Sequence, residues 1–377
     1  MNLKLQIILL TIIILLGSCI TKFIPAVDEE RELLVVQGLI TDQPETDTIK
    51  LSRSLPFGRI SDASPVTGSV VTISDDQGNR YILTETKPGT YITDVSSFRG
   101  VPGRFYTLHI STGGNINLNY VSLPVEMKTV PPIDSLYYNK IVVEQPYKNF
   151  KGIDACQIYL DTHDPLNNCR FYRWDYSETW QFRLLFEVPN QTCWISDNSK
   201  SINIKSTVAF EESRISRLPV NYITNATDRL RTKYSILVNQ YSISEDEYNY
   251  WEKIQNVSVQ VGGLYDLIPS SIPSNMQCIE NPAEDVLGYF SVSAKSSKRI
   301  FIKDNFEGII DNYAKCITDT IYTDKPPGLN ETVWILMYNR CAIPCSPTFE
   351  ITTHKECTDC TLRGTTVKPL FWSDDIK

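Results

Sequence analysis

From residue 33 onward, short runs of alternating apolar and polar residues follow one another: LLVVQGLIT, DTIKLSR, SVVTISD, RYILTE, TYITD, RFYTLHIS and NLNYVSL. A period of two sends successive side chains to opposite faces of a strand, so each run predicts a strand with one buried face. Turn formers separate them, at Asp75-Asp76-Gln77-Gly78-Asn79, Lys87-Pro88-Gly89 and Val101-Pro102-Gly103. Strands at this spacing predict an antiparallel β-sandwich, immunoglobulin-like or prealbumin-like, over residues 33–125. The DDQGN turn lacks the acidic register and distal glutamate of a calcium loop and needs no role beyond closing a hairpin.

Proline then punctuates the chain. Pro124 and the run Val130-Pro131-Pro132-Ile133-Asp134 predict an extended linker over residues 126–134. Beyond it, DACQIYLD and CRFYRWDYSETWQFR open a second, larger β-rich region, residues 135–377, with one or two short helices. One helix is signalled by Ser244-Glu245-Asp246-Glu247, which reads as a capping box, with Tyr248, Trp251 and Ile254 at helical spacing behind it. A weaker helical pattern is DNFEGIIDNYAKC, ending at Cys316. The fold class is therefore mainly β.

Within CRFYRWDYSETWQFR, residues Tyr172, Trp174, Tyr176, Trp180 and Phe182 share one parity, interrupted only by Glu178. Arg173, Asp175, Thr179 and Gln181 take the other. An aromatic face of this kind either lines a core, where large rings dominate, or stacks against a sugar or a protein partner. On the second reading Tyr172, Trp174, Tyr176 and Trp180 are the binding residues.

The N-terminus changes the picture of where the protein works. In MNLKLQIILLTIIILLGSCITKF, Lys4 precedes an apolar run from Leu5 to Leu16, shorter than the roughly 20 residues a membrane span needs and suited to a signal-peptide core. Leu16-Gly17-Ser18-Cys19 resembles a bacterial lipobox, predicting a signal peptide over residues 1–18, lipidation at Cys19 and a tether over residues 19–32. Acyl chains hold a protein on a membrane through about 0.8 kcal/mol per buried CH₂. An exported chain meets an oxidising compartment, where cysteines pair. Of ten cysteines, Cys341, Cys345, Cys357 and Cys360 have the spacing of either two disulfides or a tetrahedral zinc site, and the compartment favours disulfides. Cys169 and Cys193 flank the aromatic segment and are candidates to close it as a hairpin.

The formal net charge of −8 supplies no basic footprint for nucleic acid. Nucleophile elbows, paired metal-ligand histidines, phosphate loops and dinucleotide fingerprints are all missing from the sequence. Only His109, His163 and His354 carry imidazole. His109 should point outward from its strand, and Asp161-Thr162-His163-Asp164 is a polar cluster that a loop explains. No cofactor is expected. A hydrolase working on glycan or peptide through carboxylates gathered by the fold stays open as the rival to a binding or structural role.

The combined motifs resemble a known family. LVVQGLIT with IKLSRS, PVTGSVVTISDDQGN, PGTY with RGVPGRFYTLHI, PPIDSLYY, VLGYFSVSAKSSKRIFI and CTDCTLRGTTVKPLFW are similar to Bacteroidota lipoproteins known as domain of unknown function 4249. The similarity runs from about residue 19 to the C-terminus and departs at Leu370, where an acidic residue is expected. The resemblance implies an outer-membrane lipoprotein, often encoded beside a TonB-dependent transporter; a glycan or peptide ligand is the expectation of the aromatic face and of the rival hydrolase reading. It brings no catalytic residue.

Overall fold

The computed structural model describes residues 32–54, 63–113, 117–143, 153–224, 226–260, 272, 274–307, 316, 319–322, 333–338 and 349–373. Ten strands come first: β1 Leu34–Thr41, β2 Thr48–Arg53, β3 Ser64–Pro65, β4 Val70–Asp75, β5 Arg80–Ile82, β6 Thr84–Lys87, β7 Thr90–Ile92, β8 Phe105–Ser111, β9 Asn119–Ser122 and β10 Val125–Glu126. The second group opens with β11 Ile133–Val143, β12 Ile153–Asp164, β13 Phe171–Arg183, β14 Thr192–Asn198, β15 Asn203–Ser206, β16 Ser213–Ile223 and β17 Lys233–Ser242. Helix α1, Glu245–Gln260, follows, then β18 Met276–Cys278, β19 Leu287–Ser293 and β20 Lys295–Ile302. A small sheet of β21 Asp319–Tyr322, β22 Val333–Tyr338 and β23 Phe349–His354 lies near the C-terminus.

Two sheets make the first sandwich, ordered β19-β1-β2-β7-β6 and β18-β9-β8-β4-β5. The alternation read from the sequence decides their inner faces. Leu34, Val36 and Ile40 of β1, Ile49 and Leu51 of β2, Val71 and Ile73 of β4, and Leu108 and Ile110 of β8 form one core. Residues 33–125 do not supply all of it. Strand β19 lies parallel to β1, pairing Val35 with Leu287 through Thr41 with Ser293, and β18 pairs with β9. Met276, Cys278, Phe290 and Val292 join the same core. Parallel neighbours need a long crossover, and here that crossover spans everything between β1 and β19.

The second core lies between sheet β11-β12-β16 and sheet β14-β13-β17-β20. On β13 one side carries β15 at Phe171–Trp174 and then β14 at Ser177–Arg183, while β17 runs along the other side. Chain passes between the sandwiches twice within the described residues, from β10 into β11 and from β19 into β20. Pro131 and Pro132 are held at the first crossing, where their carbonyls accept from the Gln240 amide and the Thr162 hydroxyl. No helix among the described residues is long and apolar enough to cross a membrane.

Among the described residues two disulfides are present, Cys193–Cys360 and Cys316–Cys357. The hairpin closure of Cys169 with Cys193 is thereby corrected. Cys169 is a buried free thiol whose Sγ donates to the Phe171 carbonyl, and Cys193 instead ties β14 to the C-terminal segment. Cys357 and Cys360, both in disulfides, have no thiolate to offer zinc. Cys19, Cys341 and Cys345 lie outside the described residues. Of the weaker helical pattern, residues 304–307 enter no helix and 308–315 are outside the described residues.

Candidate functional site

The aromatic parity of β13 faces inward. Tyr172, Trp174 and Phe182 are fully buried, Trp180 nearly so and Tyr176 half-buried. Sheet β11-β12-β16 covers them, so the exposed binding face is corrected to core. The polar tips find partners, as buried tips must: the Tyr172 hydroxyl meets Ser213 Oγ at 2.8 Å, and Trp174 Nε1 donates to Gln240 Oε1 at 2.9 Å. Glu178, the break in the stripe, points inward too. It accepts from the Tyr234 hydroxyl at 2.6 Å and pairs with Arg229 at 2.8 Å, which satisfies a buried charge.

The other polar residues singled out by sequence have local duties. His109 is half-buried on the outer face of β8, with its Nε2 2.8 Å from Ser74 Oγ. Desolvation, aided by the nearby Arg80 charge, holds that imidazole below its ordinary pKa. Residues 161–164 end strand β12 rather than forming a loop; His163 Nδ1 lies 2.6 Å from Asp134, and Asp161 and Asp164 accept backbone N–H groups of Arg217, Leu166 and Cys169. His354 lies in β23. Among the described residues, no three His, Cys, Asp or Glu side chains gather to hold a metal ion.

A cavity among the described residues lies elsewhere, with a volume of about 810 Å³. Its floor is the outer face of the first sandwich, built from the parity opposite to the core. Cross-strand rows place Leu287 beside Val35, Tyr289 beside Gln37 and Lys50, and Ser291 beside Leu39 and Thr48. Helix α1 forms one wall with Tyr250, Trp251 and Ile254, and Arg173 closes the side toward the second sandwich. Tyr250 packs against Tyr289 with ring centroids 4.9 Å apart and against Trp251 at 5.2 Å.

Helix α1 stands where it does because of its first turn. Ser244 Oγ accepts from the Glu247 N–H at 3.1 Å, the first half of the predicted capping box. The second half is not made. The Glu247 carboxylate turns away from the N-cap and is fully buried. Its Oε1 accepts from Ser291 Oγ at 2.7 Å and from Trp251 Nε1 at 3.1 Å, and lies 3.7 Å from Arg173 Nη1. Residues Glu247, Tyr250, Trp251 and Ile254 share the inward stripe at i, i+3, i+4 and i+7.

One buried carboxylate therefore fixes three groups that line the cavity. Ser291 comes from β19, Trp251 from α1 and Arg173 from β13. A buried charge is costly unless paired and hydrogen-bonded. Glu247 Oε2 has no hydrogen-bond partner among the described groups. Burial, then the Glu247 charge, raises the pKa of Tyr250 and Tyr289 above the ordinary phenol value. Both rings stay neutral and keep their hydroxyl protons through the physiological range.

Neither Arg173 nor Glu247 stood out in the sequence. Arg173 belongs to the polar parity of an aromatic strand, and Glu247 completes a capping motif. The available signal was a glutamate at the third helical position with tryptophan four residues on, one helical turn away. A second cavity of about 690 Å³ shares Tyr250 and Tyr289 and is lined by Glu126, Glu245 and Asp246 together with Lys128 and Lys253. Its acids and bases are mixed.

A family model described as Domain of unknown function (DUF4249) matches residues 20–299. That span holds both sandwiches through most of β20, helix α1 and every described residue lining the larger cavity. No curated protein matches the chain.

Proposed function

This chain belongs to the DUF4249 family, and on that premise we propose that it is a non-enzymatic binding component of a Bacteroidota cell envelope. In this reading Cys19 carries lipid, residues 19–32 tether the folded part to the outer membrane, and the first sandwich is of immunoglobulin-like or prealbumin-like type. The physiological partner is a TonB-dependent transporter, which the protein assists in uptake of a glycan, a peptide or a smaller solute. The observation that carries the reading is the 810 Å³ cavity between helix and sheet, whose lining groups Arg173, Trp251 and Ser291 are all set by Glu247. Wall side chains locked from behind are the mark of recognition by a prepared surface. Two proteins confined to one membrane plane also meet at high effective concentration, so modest affinity sustains a complex.

The test is purification of the tagged protein in mild detergent. A TonB-dependent receptor should come down in near-stoichiometric amount, and Cys19→Ala should abolish palmitate labelling and leave an unprocessed or soluble precursor. A protein recovered alone after crosslinking in several detergents, with measurable glycan or peptide hydrolysis, would place it with the hydrolases instead.

A further inference from the structure

Arg173 is an unusual cation. Its side chain is 13% exposed, it lines the cavity, and its guanidinium lies over Tyr241 at 4.8 Å and over Trp251 at 5.2 Å. Stacking between two rings fixes the plane of the group, yet it makes no hydrogen bond to any described residue, and its Nε is buried without a partner. Glu247 at 3.7 Å is its one ion-pair contact among the described residues, too long for the paired N–H···O bonds that guanidinium and carboxylate ordinarily form. Arginine carries five donors in a rigid fork. A fork held in plane, largely buried and lining a cavity, with its hydrogen-bonding capacity unused by the described residues, can receive an acceptor.

The rest of the wall describes the remainder of a ligand. Val35, Leu39, Ile254 and Leu287 are aliphatic, and Tyr250, Trp251 and Tyr289 are aromatic. Lys50, exposed at the rim in the row of Gln37 and Tyr289, adds a second positive charge, and among the described residues no carboxylate lines this cavity. Glu247, behind the wall, repels excess negative charge, which disfavours a dianion such as a phosphate monoester more than a single carboxylate.

We propose that the cavity between α1 and the outer face of β19-β1-β2 binds a small monoanion. Its carboxylate sits in the fork of Arg173, and its flat apolar body lies against Tyr250, Trp251 and Leu287. The proposal rests on the binding reading given above and names the ligand chemistry. Glu247 acts in it as a positioning residue, setting Arg173 and Trp251 without touching the ligand.

The test uses three probes of one shape and different charge: 2-naphthylacetate, its neutral amide 2-naphthylacetamide, and the cation 2-naphthylethylamine. Each is titrated calorimetrically into the full chain carrying Cys19→Ser, purified without detergent. The acetate should bind at least tenfold more tightly than the amide, as expected for hydrogen bonds to a charged group, and the amine more weakly still. Arg173→Gln should erase the preference for the acetate while leaving affinity for the amide within about twofold. Lys50→Gln, a change at an exposed position, should weaken the acetate two- to threefold and more so at low salt. If Arg173→Gln does not fold, Ile254→Trp provides the second arm, since filling the cavity should abolish binding of acetate and amide alike. Equal binding of acetate and amide, no acetate binding, or a preference that survives Arg173→Gln in a folded variant overturns the proposal. So does acetate binding unchanged by Ile254→Trp. Co-purification of a receptor with the wild-type protein reports separately on the function proposed above.

Discussion

Asp47 is the residue whose environment and chemistry are most at odds. It sits in the turn between β1 and β2, buried, its Oδ1 accepting from the Thr41 N–H at 3.0 Å and the Thr41 hydroxyl at 3.2 Å, while its own N–H donates to Thr93. Burial outweighs those bonds and pushes its pKa up to about 7. An unfolded aspartate titrates near 3.9, so the folded form holds the extra proton between about pH 4 and pH 7. The group's contribution to stability is therefore complete below about pH 4, falls as pH rises through 7, and is then constant. About 2–4 kcal/mol is at stake for a shift of this size. Asp47→Asn keeps an acceptor for Thr41 and removes the ionisation. It should raise stability at pH 8 by about 1–3 kcal/mol and flatten the dependence between pH 4.5 and 8, measured as urea midpoints at several pH values. An unchanged pH slope in the variant would show that Asp47 ionises freely in the folded state.

At the scale of elements, β19 decides most. It completes the edge of one sheet, hands the chain on to β20 in another, and presents Leu287, Tyr289 and Ser291 to the cavity. The middle of its outer edge is met by a side chain: Asn275 accepts from the Phe290 N–H at 3.0 Å and donates to the Phe290 carbonyl at 2.8 Å, as a neighbouring strand would. At Phe290, that edge is occupied and not open to another chain. Close seating of β19 on β1 depends on Gly288, at φ +87°, where an added Cβ would lie 1.9 Å from the Val36 carbonyl oxygen. Gly78 in the β4–β5 turn has a similar φ of +86° but open space around it. Alanine at Gly78 should cost about 1 kcal/mol, the left-handed penalty alone. Alanine at Gly288 should cost more than about 3 kcal/mol, because strand and sheet must also separate. Thermal unfolding of the two variants side by side makes the comparison, and equal losses would mean that β19 is loosely seated.

For the whole molecule, the linear order of the chain and its packing order differ. The alternation in residues 33–125 is sound as a description of strands, and it buries one face of β1, β2, β4 and β8, while β5 and β6 hold no buried residue. Yet Met276, Cys278, Phe290 and Val292 complete that core from beyond residue 275. Residues 30–125 alone should therefore lack cooperative unfolding and expose the apolar edge of β1. Fusing residues 274–294 to them through a flexible linker should restore a β-type circular dichroism spectrum and a single transition. Cooperative unfolding of residues 30–125 without the addition would show that the two late strands are ornaments of a self-sufficient sandwich.

Local patterns are legible because they are made by near neighbours. Period-two alternation marks the strands, glycine and proline mark the turns, and Ser244 marks the start of α1, all through backbone geometry that a few residues settle among themselves. A period cannot say what will cover a face. The aromatic parity of β13 reads alike as core or as binding surface, and only the sheet β11-β12-β16 lying over it makes it core. Cysteine spacing is silent about partners for the same reason, since Cys193 and Cys360 are 167 residues apart and meet only after β14 and the C-terminal segment have packed. The cavity is further still from the sequence. Arg173, Glu247, Ser291 and Gln37 come from β13, α1, β19 and β1, each with an ordinary local part to play as a polar strand position or a helix cap. Long-range pairing of β1 with β19, under a helix whose glutamate turns inward, is what joins them. Hydrophobic burial is non-directional, so strand and helix periods specify which faces are hidden, while the identity of the neighbours is left to packing and register.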